Sequence, residues 1–417
     1  MPLSKIIIVG AGPSGLLLAV LLGKAGINVE LLEMTHGLDT NPRASHYADS
    51  SMHEFERAGI LDEVREEGFL PDGVSWRKLD EAKTRLVATP GVWLNDKTKP
   101  DPQTDRYHMV CLPLHKLGVI LERAVNAQPT ATIRYGHKVV DQGETAEHAW
   151  VRVETPDGEK VFEADYIVGC DGANSKVRRL LFGDDVFPGM TWKEQIVATN
   201  MYYDFSPYDY DDSQFFIHPW HYHMVAKIQK DGMYRVTYGE IGGLTTEELR
   251  ARQPGKYATF LPGHPGPSEY KIVNFSPYKI HQRCVDKMRV GRFLLAADAG
   301  HLCNPFGGMG LTGGIADIGS LYDALYGIHA GLAGDTILDK YDEIRRKIWH
   351  EVINPVSTEN LKRLIHLDPE TAVETDPVFK FLKGMEEDIR NGKFVAPQGS
   401  TDTMRLMHDM TQYYNKA

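Results

Sequence analysis

The run Lys5 to Val9, KIIIV, passes directly into Gly10-Ala-Gly-Pro-Ser-Gly15 and then into apolar residues through Leu22. An unbroken apolar run rich in β-branched residues reads as a strand buried on both faces, as in parallel sheets covered by helices. The glycines then have separate duties: Gly10 permits the tight turn, Gly12 lets a pyrophosphate approach the backbone, and Gly15 lets the following helix pack close to the strand. The helix N-terminus, with unpaired N–H groups and the positive end of its dipole, faces the phosphates. A second strand, residues 28 to 32, leads to Glu33, 18 residues beyond Gly15. That is close to the spacing at which an acid accepts hydrogen bonds from an adenosine ribose. Strand, glycine turn, helix, strand and acid in this order predict a dinucleotide-binding unit.

Residues 291 to 317, GRFLLAADAGHLCNPFGGMGLTGGIAD, carry a second ligand-bearing loop. Phe293 to Ala297 reads as a short buried strand, and Asp298 falls at its carboxyl end, where open α/β sheets bind ligands. An acid there suits a sugar-like hydroxyl. Pro305 stiffens the chain, Gly307, Gly308 and Gly310 let backbone approach a flat ligand, and a helix is expected over residues 313 to 326, its positive end favouring an electron-rich ring. A third segment, DYIVGCDGANSKVRR at 165 to 179, runs from a buried strand into Asp171-Gly172 and a polar turn ending in basic residues.

These three motifs, in this order and spanning about residues 5 to 320, resemble the single-component (class A) FAD-dependent aromatic hydroxylases, the para-hydroxybenzoate hydroxylase-like flavoproteins. The resemblance implies an NAD(P)H- and O2-dependent monooxygenase. Its cofactor is FAD, its co-substrate NADH or NADPH, and its substrate a phenolic or other electron-rich aromatic small molecule. Hydroxylation would proceed through C4a-hydroperoxyflavin, with decarboxylation where the attacked carbon carries a carboxylate. It places Gly10, Gly12, Gly15 and Glu33 at the ADP half of FAD and Asp298 at the ribityl chain. Pro305, Gly307, Gly308, Gly310, Leu311 and Thr312 would line the isoalloxazine ring, and Arg43 would lie against the cofactor. Asp171, with Gly172 and Arg178, belongs to a motif that serves both flavin and nicotinamide. The chain departs from the pattern at Ala297, where the family has glycine, at Asn304, where it has the first of two prolines, at Leu311-Thr312 in place of Met-Asn, and at Leu114 in place of an arginine. A reductase or epoxidase acting on an isoprenoid or other secondary metabolite is the rival reading. A halogenase is excluded by the missing W-x-W-x-I-P, and a two-nucleotide-domain enzyme by the missing second G-x-G-x-x-G.

A chain of 417 residues supports a large core and two intertwined domains. The expected fold is α/β: a Rossmann-like FAD-binding domain split over residues 1–75, 106–183 and 281–340, with an inserted β-sheet substrate-binding domain from 76–105 and 184–280. Residues 341–417 form a C-terminal helical region. Single helices are expected over 53–64 and 114–127. A net charge of −11 gives no nucleic-acid footprint. Four scattered cysteines suit a reducing compartment and the absence of an 18-residue apolar run argues against membrane insertion, so a cytoplasmic protein is expected. A homodimer is implied by the resemblance alone. In HPWHYH, residues 218 to 223, a strand would put His221 and His223 on one face and His218 on the other, without a carboxylate or thiol to complete a metal site. No metal is expected. His221, Tyr222 and His223 are the catalytic candidates, since this sheet would roof the flavin, whereas His301 is read as holding its loop.

Overall fold

The computed structural model describes residues 2–40, 45–90, 106–393 and 402–415. A six-stranded sheet runs in the order Arg289–Val290, Phe293–Leu295, Tyr166–Gly169, Ile6–Val9, Val29–Leu32, Ala131–Arg134. All neighbours are parallel except the Arg289–Val290 edge. Ile6–Val9, Tyr166–Gly169 and Phe293–Leu295 are buried at every residue, which is why their sequences show no polar alternation. The helices Pro13–Lys24, Leu114–Asn126 and Met309–His329 bury their apolar residues in the same core, and so do Ala149, Val151 and Val153 of a small antiparallel sheet. All three parallel strands release their chain at one end, so the turns at Gly10, Asp171 and Asp298 converge there.

An eight-stranded sheet carries His301–Leu302, Lys271–Cys284, Gly189–Tyr202, Met233–Glu240, His223–Lys227, Ser213–Ile217, Val74–Lys78 and Arg85–Ala88, in that order. One face, with Val197, Phe216, Val236 and Tyr238, packs against Tyr257 and Phe260 of the helix Thr246–Phe260. The other, with Trp76, Ile196, Ile217 and Tyr222, meets Phe306 and the helix Asn354–His366. The strand Lys271–Cys284 runs through position 281 without a break. Beyond residue 336 come the helix Ile337–Ile348, a π-helical turn at Trp349–Ile353, and then Asn354–His366, Ala372–Thr375 and Pro377–Arg390.

Local readings needed correction in four places. The stretch 53–64 is two helices, Asp49–Ala58 and Leu61–Glu67, because Gly59 at φ +80° closes the first in a left-handed cap. Thr246–Phe260 is helical inside a region expected to be all β. Its sign was the capping box Thr245/Glu248, obscured by Pro254 within the helix. The helix expected from residue 313 begins at Met309, so Gly310, Leu311 and Thr312 form its first turns and not a loop. Residues 218 to 222 form a turn ahead of the strand, closed by His218 Nδ1 accepting from the N–H groups of Trp220 and His221. The strand periodicity assigned to those histidines therefore does not apply. No described helix is long and apolar enough to cross a membrane.

Candidate functional site

The N-terminal turn separates two kinds of glycine. A Cβ at Gly10, which sits at φ +103°, would meet the Cys170 carbonyl oxygen at 2.6 Å, and one at Gly15 would overlap the Gly10 carbonyl oxygen. Packing therefore requires both. A Cβ at Gly12 would meet nothing within 4 Å. The space beside Gly12 lies at the N-terminus of Pro13–Lys24, which has no side-chain cap and no acid in its first turn. Its first N–H groups and positive dipole end are left for an anion. Glu33 Oε2 accepts from the Ala11 N–H at 2.8 Å while Oε1 accepts from the Thr35 N–H at 2.8 Å, which fixes the carboxylate over the turn. An open cradle, donors and a fixed acid fit the ADP half of FAD. Arg43 lies outside the described residues.

Asp171 has a structural duty the sequence did not disclose. Its Oδ2 accepts from the N–H groups of Lys176 at 2.6 Å and Val177 at 3.1 Å, at the start of the helix Lys176–Phe182. Burial raises its carboxyl, and Oδ1 is buried without a partner among the described residues. Arg178 ties this turn to the next: it donates to the carbonyl oxygens of Ala299 at 3.2 Å and Ala173 at 2.8 Å and lies 3.8 Å from the Phe187 ring centroid.

Asp298 is exposed at the end of the Phe293–Leu295 strand. Ala297, in the family's glycine position, is held at φ +55° and donates its N–H to Asp317 Oδ2 at 2.8 Å. A positive φ is where glycine is at ease and alanine is strained. The same carboxylate binds His301 Nε2 at 2.8 Å and, through Oδ1, Arg345 Nε at 2.6 Å. Arg345 and Asp317 are fully buried, and Arg345 also donates to the carbonyl oxygens of Leu406 and Gly313. Burial alone would raise Asp317, but His301 and Arg345 outweigh it and hold the carboxyl at about 2. His301 thus holds the loop. Asp317 and Arg345 escaped the sequence reading, although an acid in the apolar run GGIADIGSL was a visible signal.

Past this turn, Asn304 does by hydrogen bonding what a proline does by covalent restraint. Its Oδ1 accepts from the Phe306 N–H at 3.0 Å and its own N–H donates to Gln282 Oε1 at 2.5 Å; Gln282 is anchored in turn to Asn354 at 2.8 Å. Pro305, Gly307, Gly310 and Leu311 are partly exposed and Gly308, at φ +64°, is exposed, while Thr312 is buried with its hydroxyl donating to the Gly308 carbonyl oxygen at 3.1 Å. A Cβ at Gly308 would meet nothing within 4 Å. The N-terminus of Met309–His329 opens here with no side-chain cap and no first-turn acid. An accessible backbone shelf beside a positive helix end fits an electron-rich planar ring.

The sheet face that meets Phe306 is graded. Strand register aligns Ile217, Tyr222, Gly239, Ile196 and Tyr278 at the apolar end, then Phe215, Met224, Thr237, Ala198 and Ser276, then Ser213, Ala226, Arg235, Asn200 and Asn274. The middle row ends in the small residues Thr237, Ala198 and Ser276. Tyr278 keeps 40% of its surface accessible, and the groups packed around it push its phenol up to about 12. His46, half-buried, lies beside the polar row with Nε2 3.4 Å from Ser213 Oγ. Tyr222 lies over Gly239 with its ring centroid 6.0 Å from that of Phe306, and its buried hydroxyl has no partner among the described residues. His223 is on the opposite face, stacked between Phe216 at 4.3 Å and Phe260 at 4.2 Å and depressed by burial to about 3. His221 sits in the turn, depressed by burial and by Lys256 to about 4. Among the described residues no group of three or more His, Cys, Asp or Glu could hold a metal ion. An open cleft of about 800 Å³ around Tyr203, Tyr210, Tyr234 and Tyr270 lies elsewhere and shares no residue with the glycine loop.

Comparison with known proteins agrees with this geometry. The family described as "FAD binding domain" matches residues 4–355. The para-nitrophenol 4-monooxygenase of Pseudomonas sp. (strain WBC-3) is 33% identical over 378 residues, 91% of each chain. The 6-hydroxy-3-succinoylpyridine 3-monooxygenase of Pseudomonas putida (strain DSM 28022 / S16) is 34% identical over 88% of this chain and 90% of that one. The crystal structure of p-nitrophenol 4-monooxygenase from Pseudomonas putida DLL-E4 superposes with a TM-score of 0.84 at 31% identity, covering 94% of this chain and 99% of that one. These relatives do not favour the reductase or epoxidase reading. With its glycine turns, fixed acid and ring shelf in the arrangement described, the chain belongs to the FAD binding domain family, among the single-component FAD-dependent aromatic monooxygenases.

Proposed function

We propose that the protein hydroxylates a phenol-like aromatic ring, with NADH or NADPH as electron donor and molecular oxygen as oxidant. The relatives' own names, a nitrophenol and a hydroxypyridine monooxygenase, support a hydroxylated aromatic ring as the substrate class. Bound FAD supplies the redox chemistry that activates oxygen. Gly10, Gly12, Gly15 and Glu33 hold its ADP half, Asp298 its ribityl chain, and Pro305, Gly307, Gly308, Gly310 and Leu311 its ring, with Thr312 bracing the shelf from beneath. Arg43 belongs to the same cofactor set by its place in the sequence. Asp171 shapes the neighbouring turn. The division into a split FAD domain (1–75, 106–183, 281–340) and a substrate domain (76–105, 184–280) is supported by the two sheets. A cytoplasmic location and a homodimer complete the reading.

The observation that carries it is the graded sheet face that meets Phe306 beside the glycine shelf. Small Ala198, Thr237 and Ser276 share a row with Phe215 and Met224, between an apolar row and a polar one, as a site that must orient a ring and keep water from its reacting edge requires. Tyr222, with an unpartnered buried hydroxyl on this face, is the side chain placed to touch substrate; His223 is a core residue and His221 a turn residue. The test is stimulation of NAD(P)H oxidation by 4-nitrophenol in FAD-loaded protein. Tyr222→Phe should lower kcat/KM by about tenfold, the upper part of the range for losing one hydrogen bond. An unchanged kcat/KM removes Tyr222 from the site.

A further inference from the structure

We infer that the segment 402–415, docked along the helix Met309–His329, is a positioning element of the flavin site: through Arg345 it holds the turn at Ala297 and Asp298, so that FAD and the segment fix one another in place. The inference rests on the placement of FAD proposed above. Arg345, fully buried, donates in three directions. Its Nε donates to Asp317 Oδ1 at 2.6 Å, the carboxylate whose other oxygen holds the Ala297 N–H. Its Nη2 donates to the Gly313 carbonyl oxygen at 3.3 Å, in the first turns of the helix that opens at the ring shelf. Its Nη1 donates to the Leu406 carbonyl oxygen at 2.5 Å, 61 residues further along the chain. Two of the three bonds therefore reach backbone that borders the flavin, and the third depends on the segment.

That segment has little structure of its own. It contains two short 3-10 turns, Met404–Leu406 and Met410–Tyr413, and is held from outside. It follows the long helix from its first turns to its end. Leu406 is buried in one cluster with Met309 and Ala316, and the His408 carbonyl oxygen accepts from Ser320 Oγ at 3.2 Å. The Tyr414 hydroxyl donates to the Asp323 carbonyl oxygen at 2.6 Å, and the Asn415 N–H donates to the Leu332 carbonyl oxygen at 2.7 Å. Gly327 makes room for the docking, since a Cβ there would stand 2.5 Å from the Tyr414 ring. A segment with so few hydrogen bonds of its own opens locally at lower free energy than a buried sheet. When it leaves, Arg345 loses the acceptor of its Nη1 inside the core, where an unsatisfied donor is costly. The guanidinium can then find a new partner only by turning from Asp317 or Gly313. Linkage makes the effect mutual: a ligand that favours the Ala297 turn favours the docked segment by the same factor.

The test reads binding and protection, without activity. FAD titration of the apoprotein by flavin fluorescence quenching compares the wild type with the double variant Ser320→Ala, Tyr414→Phe, which removes two anchors of the segment and leaves Asp317, Arg345 and the turn intact. The double variant should bind FAD about fivefold or more weakly, the lower end of the usual coupling between sites, with an unchanged circular dichroism spectrum. In the unmutated protein, saturating FAD should slow carboxypeptidase removal of residues 402–415, followed by mass spectrometry, by about the same factor. Either a double variant with wild-type FAD affinity or a segment digested at one rate with and without FAD overturns the inference and leaves the FAD placement standing. Asp298→Ala with undiminished FAD affinity defeats the placement itself.

Discussion

Asp317→Asn removes the one carboxylate that His301, Arg345 and the Ala297 N–H share. Arg345 would then keep a buried positive charge with only carbonyl oxygens to face it, and breaking one partner of a buried pair costs about 3–5 kcal/mol. At about 2 cal/mol/K per residue, the unfolding entropy of a chain this long converts that to a fall in Tm of roughly 3–6 °C. The loss should also reach the cofactor, because the Ala297 turn at φ +55° would lose the acceptor that holds it and Asp298 would lose its fixed position. The assay pairs thermal melting by circular dichroism with FAD titration of the apoprotein by flavin fluorescence quenching. Arg345→Met should be equally damaging, leaving the buried acid with only His301 and the Ala297 N–H. The double variant Asp317→Leu with Arg345→Met should recover part of the Tm but not the FAD affinity, since stability needs the charges balanced whereas the turn needs the carboxylate. An Asp317→Asn protein with unchanged Tm and FAD affinity would refute this reasoning, as would a double variant whose losses simply add.

Three further outcomes follow from the geometry. Gly12→Ala should leave apoprotein stability within about 1 kcal/mol, as a compatible Gly→Ala change does, yet abolish FAD binding, whereas Gly15→Ala should impair folding itself; apoprotein melting and FAD titration separate the two. His223 has a folded pKa of about 3 against 6.5 for the free imidazole, so the unfolded chain takes up the proton first. Its stabilisation is present above pH 6.5 and is lost towards pH 3, at about 1.4 kcal/mol per unit; denaturant melts of His223→Phe should lose that slope and the enzyme should keep its neutral-pH kcat. Glu54 is raised to about 7, burial outweighing Arg57, so its protonated form favours the fold and stability declines as pH rises from 4.5 to 7; Glu54→Gln should flatten that decline in Tm-versus-pH profiles.

What could be read in advance was whatever the chain states locally. Ile6–Val9, Tyr166–Gly169 and Phe293–Leu295 are buried on both faces, and that burial is written in their composition. The glycine turns were legible because a missing side chain has few other uses at those spacings. Thr246–Phe260 was hidden because it buries only one side, including Gln253 and Lys256, and carries a proline. Arg235 and Asn200 lie 35 residues apart and Asp317 and Arg345 lie 28 apart; only strand register and helix packing bring each pair together. The histidines of HPWHYH failed for a related reason, since a turn closed by His218 replaced the strand whose alternation was being counted.

The most direct measurement supplies FAD-loaded protein with 4-nitrophenol, NADH or NADPH and ¹⁸O2, and follows reductant oxidation together with the mass of the aromatic product. Faster NAD(P)H oxidation with one ¹⁸O atom in the product ring is the result predicted here. Tightly bound FAD and reductant oxidation, with no label entering 4-nitrophenol or any other phenol supplied, would contradict it.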